Sequence, residues 1–327
     1  MPRRVERIGL IGFGKHGQRY ARHIGADLPD LRLVAVARRD ATRLDAIGAL
    51  GATPFADYRV MLERAALDAV IAVVPPTLHR DIVAAAAAAG VPLLLEKPAA
   101  PNLADGAAMR ATLRARPLPV MVAQTLRYNS VVAALRAALP RVGALRSVTF
   151  TQRFEPSPLD WLDDPVRAGG GMILHTGVHG FDLLRVLTGC EADTVTCQLA
   201  AVHTRRTEDH FVATVSLGGG AVLATVSCCR AAGGRNGTIE LAGERGTLLA
   251  DHVLGRATLV AGGQAEPLSV AAPAATVRDV VRAFVDALRA GAPMPIPLEE
   301  GLCAVALAEA CYVAARGGVV APVARLD

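Results

Sequence analysis

The chain has 327 residues, 52% of them hydrophobic and 20% charged, with 35 basic against 30 acidic residues and a net charge of +5. That length passes the roughly 250 to 300 residues at which a single core stops growing, so two domains are expected, each large enough to bury a core. The composition argues against a disordered or fibrous chain, and scattered arginines with only 4% aromatic residues argue against a nucleic-acid partner.

From Val5 to about Ala123, short apolar runs alternate with helical stretches. RIGLI, LRLVAVA, DAVIAVV, VPLLLE and LPVMVAQ read as buried strands, because they are too continuously apolar to have one wet face. GQRYARHIGA, ATRLDAIGAL, YRVMLERAA, HRDIVAAAAAAG and LADGAAMRATLRA lie between them with helical spacing. Strands alternating with helices predict an N-terminal Rossmann domain over 1–124, a doubly wound parallel sheet. After a helix near 131–139, residues 145–270 carry strand runs separated by glycine turns such as GGG at 218–220. One helical island over 172–187 precedes most of them, and helices at 276–290 and 298–316 close the chain. Residues 125–327 therefore read as an α+β domain with an open, mostly antiparallel sheet, and the whole chain as α/β.

The six cysteines form no CxxC pair and have no zinc-finger spacing, as expected of free thiols in a reducing compartment. The apolar stretch at the start is too short and glycine-broken for a signal segment, and the longest apolar run, 82–95, is cut by Gly90 and Pro92. A cytoplasmic protein without a membrane contact is expected.

IGLIGFGKHGQRYARHI sets Gly12, Gly14 and Gly17 as GxGxxG between the first strand and the first helix. Such glycines permit a tight turn, approach of the backbone to a pyrophosphate, and close helix packing. Phe13, Lys15 and His16 fill the loop. About twenty residues on, an acidic residue would hold the ribose of NAD. Arg38 and Arg39 stand there instead, with Asp40 after them, and a guanidinium fork suits a 2′-phosphate. NADP is the expected cofactor, NAD the alternative.

The fourth strand runs into VVPPTLH and the fifth into LLLEKPAA, so Val74, Pro75 and Thr77, and Glu96 and Lys97, arrive at the carboxyl edge where ligands of such sheets bind. Only two of the 35 basic residues are lysine, Lys15 and Lys97. An ammonium whose pKa moves readily is not interchangeable with a guanidinium where protons move. The Lys97–Pro98 bond is a candidate for the cis form.

At these residues the chain resembles the family of glucose-fructose oxidoreductases, inositol dehydrogenases and rhizopine-catabolism proteins. The resemblance spans nearly the whole length: GFGKHG, PPTLH at 75–79, EKP at 96–98, QTLRYN at 124–129 and GGGMILHTGVHGFDLLRVLTG at 169–189. It implies a Rossmann domain followed by a largely antiparallel sheet, and NAD(P)-dependent oxidation or reduction of sugars, cyclitols and related polyols. It further implies that Lys97 polarises the substrate hydroxyl and His179 is the general acid/base. A histidine titrating near neutrality can take the hydroxyl proton while an ammonium stabilises the alkoxide. The family usually has Asp four residues before that histidine, whereas this chain has His175, which lies on the same helix face at i and i+4 and is carried as a catalytic and substrate candidate. Asp182, three residues after His179, is a candidate to orient its ring or else a surface charge.

HTGVH also invites a zinc reading, but Thr176 replaces the glutamate of HExxH and no third ligand is evident, so no metal is expected. Arg127, Tyr128, Arg153 and Trp161 are substrate candidates, and His79 and Gln124 join the cofactor candidates on the resemblance. The resemblance also implies a homodimer or homotetramer through the C-terminal sheet. The leading reading is an NADP-preferring oxidoreductase of a small hydroxyl or carbonyl compound. A non-catalytic NADP-binding sensor and cofactor-assisted glycoside cleavage stay open beside it.

Overall fold

Six short strands, β1 (Arg7–Ile11), β2 (Arg32–Ala37), β3 (Thr53–Phe55), β4 (Ala69–Ala72), β5 (Leu93–Glu96) and β6 (Val120–Ala123), pair in parallel in the order β3-β2-β1-β4-β5-β6. The structure is a computed structural model that describes residues 4–40 and 44–326. Helices α1 (Lys15–Asp27), α2 (Leu44–Gly48), α3 (Tyr58–Arg64), α4 (His79–Ala89) and α5 (Leu103–Ala115) link the strands, as parallel pairing requires. Of the helix expected over 41–50, residues 41–43 lie outside the described residues. Every residue of β4, β5 and β6 is buried, which explains their unbroken apolar sequences. β3 escaped the sequence reading because TPF is too short to show a period, and Pro54 is tolerated there because β3 is an edge strand. Strand order reverses between β1 and β4, the switch point outside whose carboxyl ends ligands bind.

The later elements are α6 (Ser130–Val142), β7 (Leu145–Arg153), α7 (Pro165–Ala168), α8 (Val178–Thr188), β8 (Ala192–Ala200), β9 (His210–Leu217), β10 (Val222–Cys229), β11 (Thr238–Gly243), β12 (Gly246–Asp251), β13 (Arg256–Ala261), β14 (Gln264–Pro267), α9 (Thr276–Ala290), α10 (Leu298–Gly317) and β15 (Ala321–Pro322). Nine strands form one sheet in the order β14-β13-β12-β11-β7-β10-β9-β8-β15. Its pairs are antiparallel except β7 with β10. Val148, Phe150 and Gln152 of β7 and Val222, Ala224, Val226 and Cys228 of β10 are buried on one face. Helix α8 lies on that face: a Cβ at Gly180 would sit 2.7 Å from Phe150, and one at Gly177 just before α8 would sit 2.7 Å from Phe211. Glycine is what lets the helix axis come so near the sheet.

The chain divides into two units, one running to Thr125 and taking in Ala275–Gly301, the other comprising Leu126–Ala274 and the residues from 302 onward. The boundary expected at 124/125 assigned α9 to the second part; α9 instead groups with the first unit. Its buried stripe, Val277, Val280, Val281, Phe284, Val285 and Leu288, follows helical spacing and packs on α1 and β6. Arg282 and Arg289 both donate to the Asp30 carboxylate beyond α1, and the bond from Arg282 foremost holds that carboxyl well below its ordinary range.

Candidate active site

In the first unit, the three loop glycines have three different surroundings. Gly12 has φ +94°, and a Cβ on it would lie 2.2 Å from the Val73 carbonyl just beyond β4, at the switch point. A Cβ on Gly17 would lie 2.2 Å from the Gly12 carbonyl. A Cβ on Gly14 would meet nothing within 4 Å, and this residue starts α1 without a capping side chain or an acidic residue in the first turn. The open glycine and uncapped helix start fit a pyrophosphate, which needs bare backbone N–H groups and the positive helix end. Lys15 is exposed beside it, and Phe13 is buried.

Arg38 leaves the end of β2 and is already engaged: its Nη1 donates to the Phe13 carbonyl at 2.8 Å, its Nε to the Asp40 carbonyl at 3.0 Å and its Nη2 to the Asp40 carboxylate at 2.8 Å. It therefore braces the glycine loop against the β2 end, while Arg39 is exposed. The backbone N–H of Arg38 donates to Phe55 of β3.

Glu96 closes β5 and is almost fully buried. Its Oε1 lies 2.8 Å from Nε2 of His16 and accepts the Tyr20 hydroxyl at 2.6 Å, and its Oε2 accepts the Lys97 backbone N–H at 2.9 Å. Burial alone would raise this carboxyl, but the bond and charge of His16, then Lys97 and Tyr20, outweigh it and hold it below its ordinary value. The glycine loop, α1 and the peptide bearing Lys97 thus meet at one carboxylate. Lys97 is partly buried, and the peptide to Pro98 is cis. Val74 and Pro75 lead into a single helical turn, Pro76–Leu78, with Thr77 exposed on it.

His79 has no exposed surface; its Nδ1 lies 3.2 Å from the Ala99 carbonyl and its Nε2 3.3 Å from the Val74 carbonyl. Burial lowers its pKa despite these acceptors. Its ring therefore ties two edge loops together. Gln124, after β6, is 1% exposed, and neither its Oε1 nor its Nε2 is bonded by the described residues. Buried amides are normally satisfied, so Gln124 suits a polar ligand.

In the second unit, the expected helix over 172–187 begins differently. Ile173–Gly177 is a π-helical turn, and α8 follows from Val178. Such turns are rare and recur at functional sites. His175 belongs to the π turn and His179 to the first turn of α8. The turn is fixed at its start by Glu208, whose Oε1 accepts the Tyr312 hydroxyl at 2.7 Å and the Ile173 N–H at 3.0 Å. Gly170 and Gly171 make room for it, since a Cβ would lie 2.4 Å from Tyr312 or 2.1 Å from the Glu208 carbonyl. The Trp161 ring meets the His175 ring edge-on at 5.4 Å, so the only tryptophan covers one candidate imidazole.

Three further candidates have partners of their own. Asp182 is buried, not a surface charge, and its two oxygens accept from Arg127 at 2.7 and 2.6 Å. Arg127, expected to read substrate, is the other half of that pair. Arg153 donates to the Ser227 carbonyl at 2.7 Å and hydroxyl at 3.0 Å. It alternates with Gln152 and so lies on the face of β7 turned away from α8. Gln152, which the sequence reading passed over, is buried on the α8 face and donates to the Asn236 carbonyl at 2.7 Å. Tyr128 is half-buried in the turn before α6. Among the described residues no group of three or more His, Cys, Asp or Glu could hold a metal ion, and no helix is long and apolar enough to cross a membrane.

A model of an oxidoreductase family with an NAD-binding Rossmann fold matches residues 6–124, and one of the GFO/IDH/MocA C-terminal domain matches residues 136–249. The chain is 31% identical to a D-apiose dehydrogenase of Paraburkholderia graminis over 338 residues, 94% of this chain and 87% of that one. The chain belongs to the Gfo/Idh/MocA oxidoreductase family. An inositol 2-dehydrogenase of Rhizobium meliloti is 27% identical over 322 residues, covering 93% of this chain and 95% of its own. A levoglucosan dehydrogenase in complex with NADH superimposes with a TM-score of 0.90 over 98% of this chain and 100% of that one at 20% identity. As a family member, this protein is an oxidoreductase with an NAD-binding Rossmann fold.

Proposed function

We propose that the protein is an NADP(H)-preferring dehydrogenase or reductase of a sugar, cyclitol or related small hydroxyl or carbonyl compound. The observation that carries this reading is the Glu96 junction, which ties the glycine loop to the peptide of the rare Lys97. The relatives named as dehydrogenases of D-apiose and inositol support the substrate class. Gly12, Phe13, Gly14, Lys15, His16 and Gly17 would hold the pyrophosphate, and Val74, Pro75, Thr77, Glu96, Lys97 and Gln124 the nicotinamide half, with His79 behind them. NADP is favoured over NAD because Asp40, the acid that follows β2, is ion-paired to Arg38. Arg38 and Arg39 together offer the positive charge for a 2′-phosphate.

A bound nicotinamide supplies or accepts the hydride. Lys97 polarises the substrate oxygen, and its ammonium stabilises the alkoxide as the hydroxyl proton leaves. His179 takes that proton in oxidation and returns it in reduction. His175, under Trp161, sits one turn earlier and binds a neighbouring substrate hydroxyl, with Tyr128 a further substrate contact. In this reading Arg127 and Arg153 act as supports, through Asp182 and Ser227. All six cysteines are free thiols, which supports a cytoplasmic enzyme. The outward face of the nine-stranded sheet exposes Val212, Leu223 and Leu249, which supports a homodimer or homotetramer through that face, readable by light scattering.

The test is absorbance of the reduced cofactor with NADP or NAD and a panel of polyols, sugars and cyclic ketones. Turnover that Lys97→Ala abolishes upholds the reading. Tight NADP binding with no turnover of any substrate favours the sensor alternative.

A further inference from the structure

Arg230 follows β10 directly. Its backbone N–H donates to the Asp209 carbonyl at 2.8 Å, which extends by one step the register pairing Cys228 with Phe211 and Cys229 with His210. Alternation along β10 places Arg230 with Val226 and Cys228, on the face that carries α8. The position of the π turn along the strands is bracketed from both ends. Gly171 lies against Glu208 and Gly177 against Phe211, so the segment between them, with His175 in it, spans the stretch where residues 209–211 pair with 228–230.

The guanidinium of Arg230 is mostly buried and, among the described residues, makes no hydrogen bond or ion pair. The acid paired opposite it on the neighbouring strand, Asp209, is spent elsewhere. Both oxygens of Asp209 accept backbone N–H groups of Val202, and one of them also those of His203 and Thr204. Glu208, one residue before Asp209, serves Tyr312 and Ile173. Burial lowers the Arg230 pKa even with Asp209 nearby, as for a cation lacking a full partner. A desolvated guanidinium is costly unless a carboxylate or phosphate meets its fork.

We propose that Arg230 binds an anionic group of the substrate, so that the enzyme acts on an acidic sugar or polyol in preference to a neutral one. This rests on the oxidoreductase reading above and deepens it. Carboxylate and phosphate share the chemistry that Arg230 reads, and the arms of the test separate them.

The test uses the full chain with NADP and compares D-glucose and myo-inositol with D-gluconate, D-glucuronate and D-glucose 6-phosphate, following cofactor reduction and, by calorimetry, direct binding of each acid. The acids should bind and show the lower KM, and whichever of carboxylate or phosphate is preferred identifies the anion. Arg230→Gln should raise the KM for the acids about tenfold or more and lower the acid-to-neutral ratio of kcat/KM by a similar factor. Arg230→Lys should recover part of it, with NADP affinity and Tm reporting that each variant is folded. A wild-type preference for the neutral compounds, an acid-to-neutral ratio indifferent to Arg230→Gln, or no binding of any acid overturns the proposal. Acid binding that depends on Arg230 without cofactor reduction overturns the dehydrogenase reading and leaves the anion site standing. Neutral polyols oxidised while acids are excluded does the reverse.

Discussion

Arg127 and Asp182 form a two-point ion pair, Nε and Nη2 of the guanidinium each within 2.7 Å of a carboxylate oxygen and the Asp182 side chain 2% exposed. A pair so placed joins the turn before α6 to the middle of α8. Removing one partner strands a buried charge, so Arg127→Ala should cost about 3 to 5 kcal/mol of stability. Urea denaturation checks this. A variant of wild-type stability that loses only substrate affinity would return Arg127 to a substrate-reading role.

Tyr20 donates to a buried ionised carboxylate, and such bonds are worth about 1.5 to 3 kcal/mol. Tyr20→Phe should lose that amount in equilibrium unfolding and should lower kcat, because the Lys97 peptide hangs on the other oxygen of Glu96. Loss of stability with kcat intact would confine Tyr20 to structure.

Arg38→Ala should weaken NADP binding roughly tenfold to a hundredfold, with much less change for NAD, in fluorescence titrations of the reduced cofactors. Equal losses for both would assign Arg38 to bracing the Phe13 carbonyl alone, and the same titration of Arg39→Ala would then locate the phosphate reader.

Glu208 gives a pH dependence of fixed sign. Burial raises its carboxyl above the ordinary 4.5, against the opposing bonds from Tyr312 and Ile173. A raised carboxyl holds its proton more tightly folded than unfolded. Its contribution to stability is therefore complete below 4.5 and is lost as pH rises through the folded value. Glu208→Gln keeps the shape without the charge. Its Tm should match the wild type near pH 4 and exceed it increasingly above, to a plateau. A difference that does not change with pH would show that Glu208 ionises freely.

The first sheet, the glycine loop and the Lys97 edge were legible because their signals are local: unbroken apolar runs, a fixed glycine spacing and a strand end. What stayed hidden depends on partners far along the chain. Arg127 and Asp182 are 55 residues apart, and nothing near either one announces the other. The π turn differs from an α-helix by one residue of register, which the pattern of MILHTGVHGFDLL does not show. Arg153 was chosen over Gln152, although counting on in twos from the apolar Phe150 would have set Gln152 on the buried face. The same count from Val226 through Cys228 reaches Arg230.

The return of α9 to the first unit bears on how the protein is made. Val280, Phe284 and Leu288 cover surface of α1 and β6, yet they leave the ribosome after some 150 residues of the second unit have followed β6. The nucleotide-binding half, though first in the chain, is therefore completed late. During synthesis the apolar surface that α9 covers stays open until those residues emerge.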